Sequence, residues 1–213
     1  MNVVDQLKRD KLVVIARGIP TDILLRAAEA CVEAGVAFLE STFDHRLDDP
    51  IGDNAAKLAA LVREFAGRLR IGAGTVLTTE EVRAARDAGA EYIISPDSDP
   101  EVIAETKQLG LASIPGAYTP TEIKRAWSLG ADIVKLFPAD DAGLHYVQNL
   151  RGPLPHIPLM ATGGVNPQTI PELAQAGFCA FGTGITILRP DLVAAKDYEG
   201  IHALAAAHVK ALP

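Results

Sequence analysis

This chain has little with which to staple itself, grip a polyanion or enter a membrane. Of 213 residues only two are cysteine, Cys31 and Cys179, and they have no metal-ligand or redox spacing. Cys31 falls on an alanine-rich helical face and Cys179 in a strand-like run, so both read as core thiols. There is no basic stripe: 27 acidic residues against 20 basic ones give a formal charge of −7. That excludes nucleic acid and anionic membrane surfaces as partners, while leaving local positive charge for a small anionic ligand. No apolar run approaches membrane-spanning length, and residues 1–11 lack the apolar stretch of a secretory signal. A soluble, cytoplasmic protein is expected. The five histidines, His45, His145, His156, His202 and His208, show no paired metal-ligand spacing. There is no Gly-x-Ser-x-Gly elbow and no glycine-rich nucleotide loop with lysine. No Ser-, Pro- or Gly-rich linker divides the chain. With 48% hydrophobic content, one domain over residues 1–213 is expected.

What the chain does have is alternation. Short apolar runs at 12–16, 36–41, 70–73, 92–95, 111–114, 133–137, 157–161 and 179–182 read as strands. Amphipathic, alanine-rich segments near 21–34, 51–66, 79–89, 100–109, 119–129, 143–150, 167–176 and 197–210 read as helices. Thr21-Asp22 and Thr79-Glu80-Glu81 mark helix starts, Gly35 marks a stop, and Asn166-Pro167 reads as a cap followed by proline at the first helical position. Strict βα alternation implies a parallel sheet. Eight units spaced about two dozen residues apart fit a (β/α)8 TIM barrel with a short N-terminal helix. An open doubly wound sheet is the rival, but no Gly-x-Gly-x-x-Gly turn follows the first strand.

Side chains at the C-terminal ends of barrel strands converge on the active site. The sixth run, Ile133-Val134-Lys135-Leu136-Phe137-Pro138, places Lys135 on the same face as Ile133 and Phe137. A desolvated lysine loses pKa and becomes an amine nucleophile for carbonyl carbon. The blander reading is a snorkelling lysine. Other strand ends supply Arg17, Glu40 on the face of Phe38, and Thr75 on the face of Ile71. This set suits a Schiff-base site, with Lys135 forming the imine and Glu40 shuttling protons. Arg17 and Thr75 would hold a carboxylate. Thr162-Gly163-Gly164-Val165-Asn166 and Gly182-Thr183-Gly184-Ile185-Thr186 follow the last two strands, where barrels often bind phosphate. A short helix after Gly184 would aim its positive end at the anion. Asp44-His45-Arg46 reads as a solvated loop, and Trp127 as packing.

With those residues in view, the chain resembles the bacterial 2-keto-3-deoxy-6-phosphogluconate / 4-hydroxy-2-oxoglutarate aldolase family. The resemblance is carried by Val14-Ile15-Ala16-Arg17-Gly18, Leu39-Glu40, Ile71-Gly72-Ala73-Gly74-Thr75-Val76-Leu77, Ile94-Ser95-Pro96, Ile114-Pro115-Gly116, Val134-Lys135-Leu136-Phe137-Pro138-Ala139 and Ala161-Thr162-Gly163-Gly164-Val165. It implies a class I aldolase that needs no metal or cofactor, a homotrimer of barrels acting on pyruvate and a phosphorylated aldehyde. It further implies Lys135 as the Schiff-base lysine and Glu40 as the acid/base. Arg17, Thr75, Pro96, Phe137 and Thr162 would contact substrate, with Gly163, Gly164 and Gly184 bordering the phosphate. One departure stands out: some members carry a substrate-binding arginine where this chain has Asp44. The expected reaction is reversible cleavage of a 2-keto-3-deoxy-6-phospho sugar acid of the gluconate type. The galactonate epimer or 4-hydroxy-2-oxoglutarate are the alternatives. A phosphosugar isomerase or epimerase, or a non-catalytic metabolite-binding barrel, are more distant ones.

Overall fold

The computed structural model describes residues 1–213. Its strands are β1 (Leu12–Ala16), β2 (Phe38–Thr42), β3 (Arg70–Gly74), β4 (Tyr92–Ile94), β5 (Ala112–Ile114), β6 (Gly116–Ala117), β7 (Val134–Leu136), β8 (Leu159–Thr162) and β9 (Ala180–Thr183). All pair in parallel, in the order β5-β4-β3-β2-β1-β9-β8-β7-β6. The two ends of that order, β5 and β6, are separated in the chain only by Pro115. They are the two halves of one stave, so the sheet closes on itself as the expected eight-staved barrel. The break has a local cause, because proline offers no N–H to a ladder. Lys135 N instead donates to Pro115 O at 2.9 Å, and Gly116 N turns to Asp97 O at 2.9 Å.

The helices are α1 (Val3–Asp10), α2 (Thr21–Glu33), α3 (Pro50–Glu64), α4 (Thr79–Asp87), α5 (Pro100–Gln108), α6 (Pro120–Ser128), α7 (Ala139–Arg151), α8 (Ile170–Gln175), α9 (Pro190–Ala195) and α10 (Tyr198–Lys210). Some starts match the sequence reading and others differ. α4 opens at Thr79 as read, with Thr78 before it as the cap in a capping box with Glu81. α2 also begins at Thr21 as read, but Pro20 holds the cap position and no side chain caps the helix. Asn166 accepts from Gln168 N and Thr169 N. That local turn consumes 166–169, so α8 begins at Ile170 rather than Pro167. α7 begins at Ala139 and bends at Gly143, whose φ of 70° is non-helical. No helix follows Gly184 directly: 185–187 form a single turn, and α9, which has no counterpart in the sequence reading, starts at Pro190.

Strand alternation sorts the core into two shells. Leu12, Val14, Leu39, Ile93, Val134, Leu136, Leu159, Ala161 and Phe181 face outward and join the helices in one large cluster. Val13, Phe38, Tyr92, Ile94, Ala112, Ile114, Ile133, Met160 and Ala180 form the inner cluster. Leu7 of α1 belongs to that inner cluster, so the N-terminal helix plugs the barrel beneath the site. Asn2 caps α1 by accepting from Asp5 N at 2.8 Å. Gln6 accepts from Arg70 Nε at 2.9 Å, tying α1 to the start of β3.

Candidate active site

The inner face continues upward from that plug, two residues at a time. Ile133 leads to Lys135, Phe38 to Glu40, Val13 to Ile15 and Arg17, and Met160 to Thr162. A cavity of about 1030 Å³ opens above this layer. It is lined by Arg17, Glu40, Thr75, Pro96, Lys135, Phe137, Thr162, Gly163, Gly164 and Gly184. Every residue singled out from the sequence as a site candidate is therefore brought to one place.

Register explains how Glu40 reaches it. Ile15, Glu40, Gly72 and Tyr92 stand side by side across β1, β2, β3 and β4. Gly74, one inward position above Gly72, matters for a steric reason: a Cβ there would land against the Glu40 carboxyl group. Glu40 is 2% exposed, and its Oε2 makes no hydrogen bond within the protein. Burial pushes its carboxyl up to about 7, against the opposing fields of Lys135 and Arg17. Lys135 is 7% exposed. Burial lowers its pKa; Glu40 pulls the other way, while Arg17 adds to the lowering. The amine sits 4.6 Å from the centre of the Phe137 ring. The arrangement thus has both halves of a proton-transfer pair: an amine biased toward its neutral, nucleophilic form and a carboxyl that exchanges protons near neutrality.

Arg17 donates to Thr75 Oγ1 at 3.1 Å. Ile71, on whose face the sequence puts Thr75, packs outward in the large cluster. Thr75 reaches the cavity by leaving strand geometry, with a φ of 58° that is strained for a β-branched residue, and such strain concentrates at ligand clamps. Thr162 Oγ1, buried at the top of β8, has no partner in the protein. At the far end of the cavity, Gly163 and Gly164 take φ of 102° and 67°, values that L side chains rarely adopt. The backbone N–H groups of Gly163, Gly164, Gly184 and Ile185 donate to nothing in the protein. Free N–H groups on two loops lining one cavity are candidates for an anion nest.

Other lining residues were not foreseen. Arg46, read from sequence as part of a solvated loop, reaches the cavity wall. It is held there by Asp44, which accepts from its Nε at 2.8 Å and Nη2 at 2.7 Å. Hydrogen bonding to Arg46 holds the Asp44 carboxyl well below the usual carboxylate range. A cation thus lines the cavity from two residues beyond Asp44, the position at which some members of the resembled family carry arginine. Nearby, His45 pairs with Glu81 at 2.8 Å. Asp140, beneath Gly163 and Gly164, and Thr183 and Thr186 also line the cavity. Their signal in the sequence was adjacency to motifs already noticed, which does not reveal where a loop folds back.

Comparison with known proteins agrees with this geometry. The chain is 33% identical over 201 residues to the 2-dehydro-3-deoxy-6-phosphogalactonate aldolase of Escherichia coli K12, covering 94% of this chain and 93% of that one. It is 32% identical to the 2-dehydro-3-deoxy-phosphogluconate aldolase of Treponema pallidum, covering 83% and 81% respectively. Among solved structures, the KDPG aldolase of Legionella pneumophila, with pyruvate captured at low pH as a covalent carbinolamine intermediate, superposes with a TM-score of 0.85. It is 25% identical, with 96% of this chain and 97% of that chain covered. Residues 3–204 match the family described as KDPG and KHG aldolase, and the chain belongs to that family.

Proposed function

We propose that this aldolase reversibly cleaves a 2-keto-3-deoxy-6-phospho sugar acid of the gluconate type to pyruvate and glyceraldehyde 3-phosphate, through an imine on Lys135. The observation that carries this reading is the buried pair of Lys135 and Glu40 in one cavity with two free-N–H glycine loops. Lys135 Nζ adds to the C2 ketone, and the carbinolamine loses water to give an iminium ion. Glu40, through water, takes the proton of the C4 hydroxyl as the C3–C4 bond breaks. The bonding electrons move into the iminium, leaving an enamine and releasing the aldehyde. Glu40 then returns a proton to C3, and hydrolysis frees pyruvate and the amine. Arg17 and Thr75 hold the C1 carboxylate, Phe137, Pro96 and Thr162 pack around the pyruvyl unit, and Gly163, Gly164 and Gly184 cradle the phosphate.

The galactonate epimer is the second reading, favoured by the 33% identity to the galactonate-type relative. Comparing kcat/KM for the two C4 epimers and for 4-hydroxy-2-oxoglutarate decides between them. Borohydride added with pyruvate is expected to trap one pyruvyl adduct on Lys135, located by peptide mass mapping. Lys135→Ala is expected to fold and to lose both trapping and cleavage. An unmodified Lys135 under saturating pyruvate removes the mechanism. No helix is long and apolar enough to cross a membrane. We further infer, from the family resemblance, that residues 1–213 act as one domain, in a cytoplasmic homotrimer. Sedimentation of the purified chain checks the oligomer.

A further inference from the structure

His208 has no place in the chemistry above, yet it is 1% exposed on α10 and wired to the far end of the cavity. Its Nδ1 lies 2.7 Å from Leu204 O. A carbonyl only accepts, so Nδ1 carries the proton and Nε2 of the neutral ring is left as an acceptor. Thr186 Oγ1 lies 2.9 Å from that Nε2 and donates to it. Thr183 Oγ1 sits 2.6 Å from Thr186 Oγ1. With the one Thr186 hydroxyl proton given to His208, the donor to Val165 O, 3.0 Å away, is Thr183 Oγ1. Val165 closes the Gly163-Gly164 loop, and Thr183 and Thr186 flank Gly184 and Ile185. The network therefore links the two glycine loops to each other and fixes both to α10.

We propose that His208 is a positioning residue for the phosphate-binding end of the site, holding the two loops at the separation their N–H groups need. The inference rests on the phosphate reading of those loops given above. A nest of N–H donors binds an anion only when the donors converge. A shift of well under an ångström between loops weakens every bond at once. The reacting carbons lie at the other end of the cavity, so His208 governs capture of the phosphorylated substrate and not imine formation.

Two substitutions separate this role from a merely structural one. In His208→Gln the amide oxygen occupies the place of Nε2 and still accepts from Thr186. In His208→Asn the shorter side chain can keep the Leu204 contact but does not reach Thr186. The expected result for His208→Asn is a KM for the phosphorylated substrate raised about tenfold, the size of losing one buried hydrogen bond. The same protein is expected to keep its kcat and its rate of exchange of pyruvate methyl protons, which needs no phosphate. His208→Gln is expected to recover most of the affinity, and Thr186→Val to reproduce the His208→Asn defect. Inhibition by inorganic phosphate is expected to weaken in parallel with the KM change. If folded His208→Asn keeps the wild-type KM, or if exchange falls together with cleavage, the proposal is overturned. A wild-type enzyme indifferent to the substrate phosphate instead removes the phosphate reading itself. The two failures are distinguishable.

Discussion

At the scale of single residues, Glu40 is the carboxyl whose surroundings bear most directly on the chemistry of the cavity. Its carboxyl is buried, one oxygen has no partner in the protein, and its pKa is pushed up to about 7 by desolvation. Two consequences follow for pH. The kcat/KM profile is expected to show a limb near pH 7 that disappears in Glu40→Gln, with turnover lowered by roughly two to four orders of magnitude as for a lost acid/base. The second concerns stability. A carboxyl whose folded pKa is raised holds its proton more tightly when folded, so its contribution is complete below the unfolded value of 4.5 and is lost as pH rises through about 7. The melting temperature of the wild type relative to Glu40→Gln is therefore expected to fall between pH 5 and pH 8. A difference that stays flat across that range means that Glu40 is not desolvated.

At the scale of elements, β3 contributes by what it leaves out. Its inward positions are Gly72 and Gly74, and each cedes its space to a neighbouring strand: the Tyr92 ring from β4 and the Glu40 carboxyl from β2. The strand is thus a spacer between the stave that carries Glu40 and the stave that carries Tyr92. Gly74→Ala tests this directly, because the added methyl group meets the carboxyl and Thr42 Cγ2. A folded protein with a severe loss of kcat and retained pyruvate trapping on Lys135 is the expected outcome. Wild-type turnover in that variant means that Glu40 has room to move. The helices depend more on local rules. Thr78 with Glu81 and Thr119 with Glu122 close capping boxes, and each is legible as a Thr-x-x-Glu spacing.

At the scale of the whole molecule, the barrel needs a floor, because its inner cluster of aromatic and aliphatic side chains ends beneath the site. Leu7 of α1 is 1% exposed and packs into that cluster. Leu7→Ala is expected to cost about 2–5 kcal/mol, as for a large core side chain truncated to a methyl group. The measurement is urea unfolding, and a change below about 1 kcal/mol, far short of that truncation range, shows that α1 only decorates the barrel. The net charge is −7, yet two arginines line the cavity, Arg17 and the Asp44-paired Arg46.

Period-2 and period-3.6 hydrophobicity, set by backbone geometry within a few residues, made the alternating strands and helices readable before any coordinates. Parity did the same for Lys135 beside Ile133 and for Glu40 beside Phe38. Its failures were local too: Pro115 splitting one stave, the Asn166 turn displacing α8, and α9 going unseen because its six residues bury none of their own. What the linear chain could not decide was which residues far apart in the sequence become neighbours. The reach of Arg46 over the cavity, the space Gly74 yields to Glu40, and the link from His208 to Val165 all depend on how closed staves and loops pack. Those distances are settled by closure of the barrel, since only a complete ring of strands forces their ends to face one another.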